Sequence, residues 1–395
     1  MGLFDKLANI AAARQGLEAF GVDPFNVVIE EILSPTEARI GGQPVLLAGT
    51  NNYLGLTFDP GCMAAACQSI NAEGTGTTGS RMANGTYAGH LKLEEELATF
   101  YDCRKGIVFS TGFLANLGMI TALAGPGDAI LIDADCHASI YDGCRMSGAD
   151  IIRFRHNSAI DMEKKLKRLG ARTENTLIIV EGIYSMLGDR APLKDIVALK
   201  RQYGGMLMVD EAHSLGVLGE KGRGMAEDAK VEADVDFIVG TFSKSLGGIG
   251  GFCVGNHPGL DLIPYASRPY IFTASPSPAT IASTRAALPL LRDGVALRKQ
   301  VWENATSLYT RLQQMGFKLG PEISPVIAVR LGAREESLAF WQVMLNSGVY
   351  VNLVLPPAAP SNSCLLRCSL SAAHTPAQIE KIAEVFSTTR AQLAG

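Results

Sequence analysis

The sequence predicts an α/β protein with a mainly parallel central sheet, helices on both faces, and a smaller α+β domain at the C-terminus. Three observations carry this. Between residues 106 and 239, short apolar runs rich in β-branched side chains alternate with segments of helical spacing. Polar residues stand at the carboxyl ends of five of those runs: Thr111-Gly112, Asp135 with His137, Glu181 with Ser185, Asp210 with His213, and Thr241, Ser243 and Lys244. After Pro276-Ser277-Pro278 the composition turns to Ala, Leu and Arg at helical spacing, and shorter strands then alternate with helices.

At 395 residues the chain has room for two domains and a large core. An apolar share of 47% with 19% charged residues is that of a globular enzyme. A net charge of −4 argues against nucleic-acid binding and against a basic membrane-binding face. The segment Met1-Gly2-Leu3-Phe4-Asp5-Lys6 has neither the basic nor the apolar region of a signal peptide, so a cytoplasmic location with at most peripheral membrane contact is expected. Eight scattered cysteines without a Cys-x-x-Cys pair read as reduced thiols, not as disulfides or a metal site.

In chain order, residues 3–20 form an amphipathic helix, and 38–47 a hairpin turning at Gly41-Gly42. Residues 51–56 make a polar loop, and 74–86 a Gly/Thr-rich segment whose one charge is Arg81. A helix follows over 90–101. Strands are expected at 106–110, 129–132, 151–154, 177–180, 206–209 and 237–239, with helices at 113–124, 161–169 and 193–202. Residues 279–315 are helical, strands recur at 325–330 and 364–370, and helices at 335–347 and 376–393. The expected division is an N-terminal segment over 1–45, a large domain over 46–285 and a small one over 286–395.

In parallel sheets of this kind the ligand lies beyond the carboxyl ends of the strands. Lys244 follows a buried strand, with Thr241 and Ser243 beside it and glycines at 247, 248, 250 and 251 after it. Its amine suits a Schiff base with an aldehyde cofactor, and the two hydroxyls suit a phosphate. For that tetrad alone, a surface lysine in a polar loop is an equal reading. Asp210 ends the apolar run Met206-Leu207-Met208-Val209, where a carboxylate can keep a pyridine nitrogen protonated; a helix cap is the alternative. Gly112 at a helix start offers backbone N–H groups to a phosphate. His137 lies in a polar strand end, where an imidazole can stack on a ring and bond a carboxylate. Arg367, a charge inside the strand Leu365-Leu366-Arg367-Cys368-Ser369, calls for a carboxylate partner, from a substrate or from within the protein.

Taken together, Asp210-Glu-Ala-His213, Gly240-Thr-Phe-Ser-Lys244, Asp135-Cys-His137-Ala-Ser139 and the Arg367 strand resemble the α-oxoamine synthases. These are fold-type-I pyridoxal-phosphate enzymes that condense an amino acid with an acyl-CoA and release CO2. Three stretches are similar to the members that join L-serine to a long-chain acyl-CoA such as palmitoyl-CoA: 79–85, 181–189 with Leu187 where sister enzymes carry Asp, and 268–275. The product expected is 3-ketodihydrosphingosine. The resemblance implies that Lys244 holds the cofactor and acts as base at Cα, with His137 stacked on the ring. Asp210 pairs with the ring nitrogen and His213 with the ring hydroxyl. Gly112, Phe113, Thr241, Ser243 and Ser185 serve the cofactor, joined by Thr273 from the partner in a homodimer. Asn52, Arg367 and Arg81 approach the substrates. One departure stands out: where those members carry an Arg-Pro-Pro turn, this chain has Leu355-Pro356-Pro357, leaving the carboxylate to Arg367, His137 and Asn52.

The nearest alternative is a sister synthase taking glycine or alanine, and an aminotransferase is a further one. A non-catalytic partner subunit would be expected to lack Lys244, and a transcription regulator would need a DNA-binding domain ahead of the large one.

Overall fold

The computed structural model describes residues 2–20, 23–356 and 363–394, so Pro357 of the Leu355-Pro356-Pro357 turn lies outside the described residues. The central sheet has seven strands: β1 (Lys105–Phe109), β2 (Ala129–Asp133), β3 (Asp150–Phe154), β4 (Thr176–Glu181), β5 (Met206–Asp210), β6 (Phe237–Thr241) and β7 (Gly251–Gly255). They lie in the order β1-β7-β6-β5-β4-β2-β3. The pairs β2–β3, β2–β4, β4–β5 and β5–β6 are parallel, while β7 runs antiparallel to both β1 and β6. Six carboxyl ends therefore meet on one edge of the sheet. The central strands are near-continuous apolar runs because helices cover both faces.

The expected strands and helices are present, most with ends moved by a residue or two. The 38–47 hairpin turns at Gly41 (φ +58°) and Gly42 (φ +74°), the left-handed pair that a two-residue hairpin requires. β7 was not expected. Its apolar stretch is only Phe252-Cys253-Val254 between glycines, too short to stand out, and its place is fixed by pairing with two neighbours. The helix Pro60–Glu73 was also missed: it is Ala- and Cys-rich with little amphipathic pattern, and its start is fixed by the Asp59 carboxylate accepting from Cys62 N–H at 2.9 Å.

A second core lies around the antiparallel strands Lys318–Leu319, Val326–Leu331, Cys364–Ser369 and Asn352–Val354. It draws in Leu17 and Ala48 from the N-terminal part of the chain, and Val349–Tyr350 pairs parallel with Gln43–Leu47. The expected boundary at 285 falls inside the helix Pro278–Asp293, whose Ile281, Ala287, Leu288 and Leu291 belong to the first core. The change of core comes within the helix Val295–Gln314, where Leu297 still packs on the first core while Ala305, Leu308 and Leu312 enter the second. Among the described residues no helix is long and apolar enough to cross a membrane, and all eight cysteines are free.

Candidate active site

At the carboxyl edge of the sheet is a cavity of about 280 Å3 lined by the ends of β5 and β6 and the helix that follows β1. Of the expected residues, Gly112, Phe113, His137, Asp210, His213, Thr241, Ser243 and Lys244 all line it.

Lys244 sits in the loop from β6 to β7, which is closed by bonds from Phe242 N–H to the Gly250 carbonyl and from Gly248 N–H to the Phe242 carbonyl. Burial lowers its ammonium pKa to about 8, although the Asp210 and Glu181 carboxylates pull the other way. Asp210 is buried, with one oxygen accepting from Ala212 N–H at 2.9 Å and the other from Asn116 Nδ2 at 2.7 Å. No helix begins at Asp210, so it is not a helix cap: one oxygen organises the local turn, and the other is held within the cavity.

His137 caps the helix Ala138–Ser147, its Nδ1 accepting from Ser139 N–H at 3.2 Å and lying 2.8 Å from Ser139 Oγ. Nδ1 is thereby an acceptor, which leaves the proton of the neutral ring on Nε2. Burial lowers the pKa of His137, and the Lys244 charge adds to this against the pull of Asp210. His213 is held well below the ordinary histidine value by burial, with Lys244 and Arg367 adding to the effect; its Nδ1 lies 2.7 Å from the Tyr53 hydroxyl. Glu181 lies beneath, bonded to His137 N–H, and burial next to Asp210 raises its pKa well above the carboxylate range.

At the other end of the cavity the helix Gly112–Leu123 begins, capped by Thr111 Oγ1 accepting from Leu114 N–H at 3.1 Å. A Cβ on Gly112 would lie 2.9 Å from Thr241 Cβ, so only glycine lets the helix start come this close to β6. Thr241 Oγ1, which donates to the Gly250 carbonyl at 2.9 Å, lies 2.8 Å from Ser243 Oγ, so that two hydroxyls flank the helix start where an anion would sit. A pyridoxal phosphate fits this set: an amine for the aldehyde, a held carboxylate for the ring nitrogen, imidazoles at 137 and 213, and a helix start with two hydroxyls for the phosphate. Asn116 Oδ1, buried in the cavity lining, has no partner among the described residues, as expected of a site built for a further group.

Arg367 is buried on the strand Cys364–Ser369. Leu366 and Cys368 enter the second core, so Leu365, Arg367 and Ser369 share the opposite face. The guanidinium donates to the Ser185 carbonyl, to Asn51 Oδ1 from both Nη atoms at 3.1 Å, and to Ser369 Oγ at 2.8 Å. All of these are neutral oxygens, and no carboxylate among the described residues pairs with it.

The remaining expected residues lie outside the cavity lining. Asn51 holds Arg367, while Asn52 Nδ2 donates to Thr57 Oγ1 at 2.8 Å and its Oδ1 is buried without a partner among the described residues. Ser185 meets Arg367 through its carbonyl and does not line the cavity, and Thr273, expected to serve the partner's site, lies outside this chain's own lining. Arg81 is turned inward: it bonds Glu94 at 2.8 Å and Thr86 at 3.0 Å and lies 5.1 Å from the Tyr270 ring centre. Leu355 is buried in the second core. Asn116, Ser139, Tyr53 and Asn51 were missed. The first sits inside an apolar helix, Gly112–Leu123, where a lone Asn is the one signal that could have been followed.

Comparison with known proteins gives the same lineage. The aminotransferase class I and II family matches residues 43–386. A serine palmitoyltransferase of Caulobacter vibrioides is 52% identical over 100% of this chain and 97% of its own length. The structure of a serine palmitoyltransferase variant from S. paucimobilis with a bound PLP–myriocin aldimine superposes with a TM-score of 0.97 at 46% identity, covering 100% of both chains. An 8-amino-7-oxononanoate synthase of Geobacter sulfurreducens is 41% identical over 86% of this chain and 87% of its own. The chain belongs to the aminotransferase class I and II family of fold-type-I pyridoxal-phosphate enzymes and, within it, to the α-oxoamine synthases, with bacterial serine palmitoyltransferase among its relatives.

Proposed function

We propose that this protein condenses L-serine with a long-chain acyl-CoA such as palmitoyl-CoA, giving 3-ketodihydrosphingosine, CO2 and CoA. The observation that carries the reading is the meeting of Lys244 and the held Asp210 carboxylate in one cavity, with the buried Arg367 nearby lacking any carboxylate of its own among the described residues. Pyridoxal phosphate, when bound, supplies an electron sink for the pair left on the amino acid's Cα.

The chain's residues do the rest. Gly112 and its helix start, Thr241 and Ser243 hold the phosphate, and His213 meets the ring hydroxyl. Asp210, fixed by Asn116 and Ala212, keeps the ring nitrogen protonated. Lys244, with its pKa lowered to about 8, is neutral in roughly a tenth of molecules at pH 7, far more than an ordinary lysine, and takes the Cα proton onto Nζ. Arg367 binds the serine carboxylate, and His137 donates to it from Nε2. Burial around Asp210 and Glu181 excludes water and strengthens these contacts.

The active form is a cytoplasmic homodimer that brings Thr273 of each chain to the other's phosphate; the exposed Phe113, Ile249 and Phe272 support a covered face there. The large domain ends early in the helix Val295–Gln314, and the N-terminal residues complete the small one. A sister reaction with glycine or alanine is favoured by one observation, the burial of Leu355 in the second core, where it offers the carboxylate no charge. The deciding experiment is a spectrophotometric titration of the cofactor-loaded protein with L-serine, glycine and L-alanine in parallel. Saturation at the lowest concentration with serine is expected, and a preference for glycine or alanine overturns the serine reading.

A further inference from the structure

One buried charge cluster has no part in the chemistry above. His156, just beyond β3, stands between two buried carboxylates: Nδ1 is 2.8 Å from Asp133 Oδ1 at the end of β2, and Nε2 is 2.7 Å from Asp189 Oδ2. Asn157 reinforces both sides, its backbone N–H bonding Asp133 at 2.8 Å and its side chain bonding Asp189 at 3.2 Å. Asp189 belongs to a tight turn closed by an Ile183–Arg190 bridge and by Tyr184 N–H donating to the Asp189 carbonyl at 2.9 Å. The Tyr184 ring meets the His156 ring edge-on at 4.5 Å. That same turn carries the Ser185 carbonyl that accepts from Arg367 Nε.

We infer that His156 is a positioning residue for the amino-acid carboxylate: it pins the 183–190 turn to the end of β2 and, through Ser185, sets the guanidinium of Arg367. The assignment rests on the reading of Arg367 as the carboxylate anchor. Carboxylates only accept hydrogen bonds, so two of them on one imidazole require both ring nitrogens to carry protons. The ring is an imidazolium: burial opposes this, but Asp133 and Asp189 outweigh it and raise the pKa to about 10. Without that cation, two buried carboxylates would face each other across the turn, and Asp135 Oδ2, 4.0 Å from His156 Nδ1, would add a third. The other face of the turn is docked on the second domain, where Leu187 packs on Ala328 and Leu365 and Arg190 pairs with Glu322 at 2.7 Å. The turn therefore ties a strand end of the large sheet to the strand that bears Arg367.

The test uses the cofactor-loaded protein with His156→Gln and, as a milder change at the other end of the bond, Asp189→Asn. Each is titrated with L-serine, glycine and L-alanine by the change in the cofactor's absorption. The Kd of the amino acid that wild type prefers should rise about tenfold in both variants, with the cofactor Kd and the KM for acyl-CoA moving less than about twofold. An unchanged amino-acid Kd, or an equal loss of cofactor affinity, overturns the role. In an Arg367→Lys background the His156→Gln change should cost less than about twofold more, and a full further tenfold loss overturns the route through Arg367. The wild-type order of the three amino acids bears on the serine reading alone. Independently, a 1H–15N spectrum of the histidine rings at pH 8 should contain one doubly protonated ring that disappears in His156→Gln; its absence from wild type overturns the assignment.

Discussion

Asn116 Nδ2 bridges Asp210 Oδ2, at 2.7 Å, and Ser139 Oγ, at 3.0 Å, and Ser139 in turn meets His137. One amide thus connects the carboxylate assigned to the ring nitrogen with the imidazole assigned to the ring face. A hydrogen bond to a charged group contributes roughly 1.5–3 kcal/mol. Asn116→Ala should therefore weaken cofactor binding roughly ten- to a hundredfold. Equilibrium titration of the cofactor-free protein with pyridoxal phosphate measures this, and an unaltered Kd would show that Asp210 needs no such support.

Lys244 makes a second, pH-dependent prediction for the cofactor-free protein. Its pKa is about 8 when folded, below the ordinary lysine value of 10.5 that applies when unfolded. Between those values the unfolded chain holds a proton that the folded chain has released, so stability rises with pH across that window. Below pH 8 both forms are protonated and the cost of burying the charge is fully felt. Lys244→Met should stabilise the cofactor-free protein at pH 7 by up to about 3 kcal/mol while abolishing activity. The gain should shrink as pH rises from 8 towards 10.5. Thermal melts of both proteins across that range check the sign, and a lower Tm for Lys244→Met at pH 7 would contradict it.

How much of this was legible beforehand follows from periodicity. The parallel strands announce themselves as apolar runs because both faces are covered, and the polar residues at their ends converge by topology alone. That is why Lys244, Asp210, His137 and His213 could be placed on one cavity from the sequence. What stayed hidden depends on contacts distant in sequence. That Asn51 holds Arg367 depends on how the Arg367 strand meets the 51–56 loop, which no local pattern reveals. Arg81, a lone charge in a small-residue loop, reads as ligand-facing until Glu94 and Tyr270 are seen to hold it. β7 needs its two neighbours to be recognised as a strand at all.

Gly112 carries a third prediction, about space and not backbone strain. An added methyl would lie 2.9 Å from Thr241 Cβ and 3.0 Å from its Oγ1, so the helix start and β6 must part slightly. Their separation defines the anion end of the cavity. Gly112→Ala should raise the cofactor Kd by roughly five- to tenfold and weaken competition by inorganic phosphate to the same degree. Competition titrations read both numbers. A loss of cofactor affinity with phosphate competition intact would place the anion elsewhere.

Leu187 separates stability from specificity. It is buried against Ala328 and Leu365, with Val354 at the edge of an apolar cluster. Leu187→Asp, the residue that sister synthases carry there, would put a carboxylate into this apolar contact between the 183–190 turn and the second domain. An unpaired buried carboxylate is costly, so the variant should lose about 3 kcal/mol or more, or bind a proton to avoid it. The protonated form predicts a melting temperature that recovers as pH falls from 8 to 5, since the folded pKa then lies above the unfolded one and its stability deficit is largest at high pH. Amino-acid affinity should fall with the turn's hold on Arg367, and the order among serine, glycine and alanine should not change. A switch of that order in Leu187→Asp, without loss of stability, would make residue 187 a direct determinant of substrate choice.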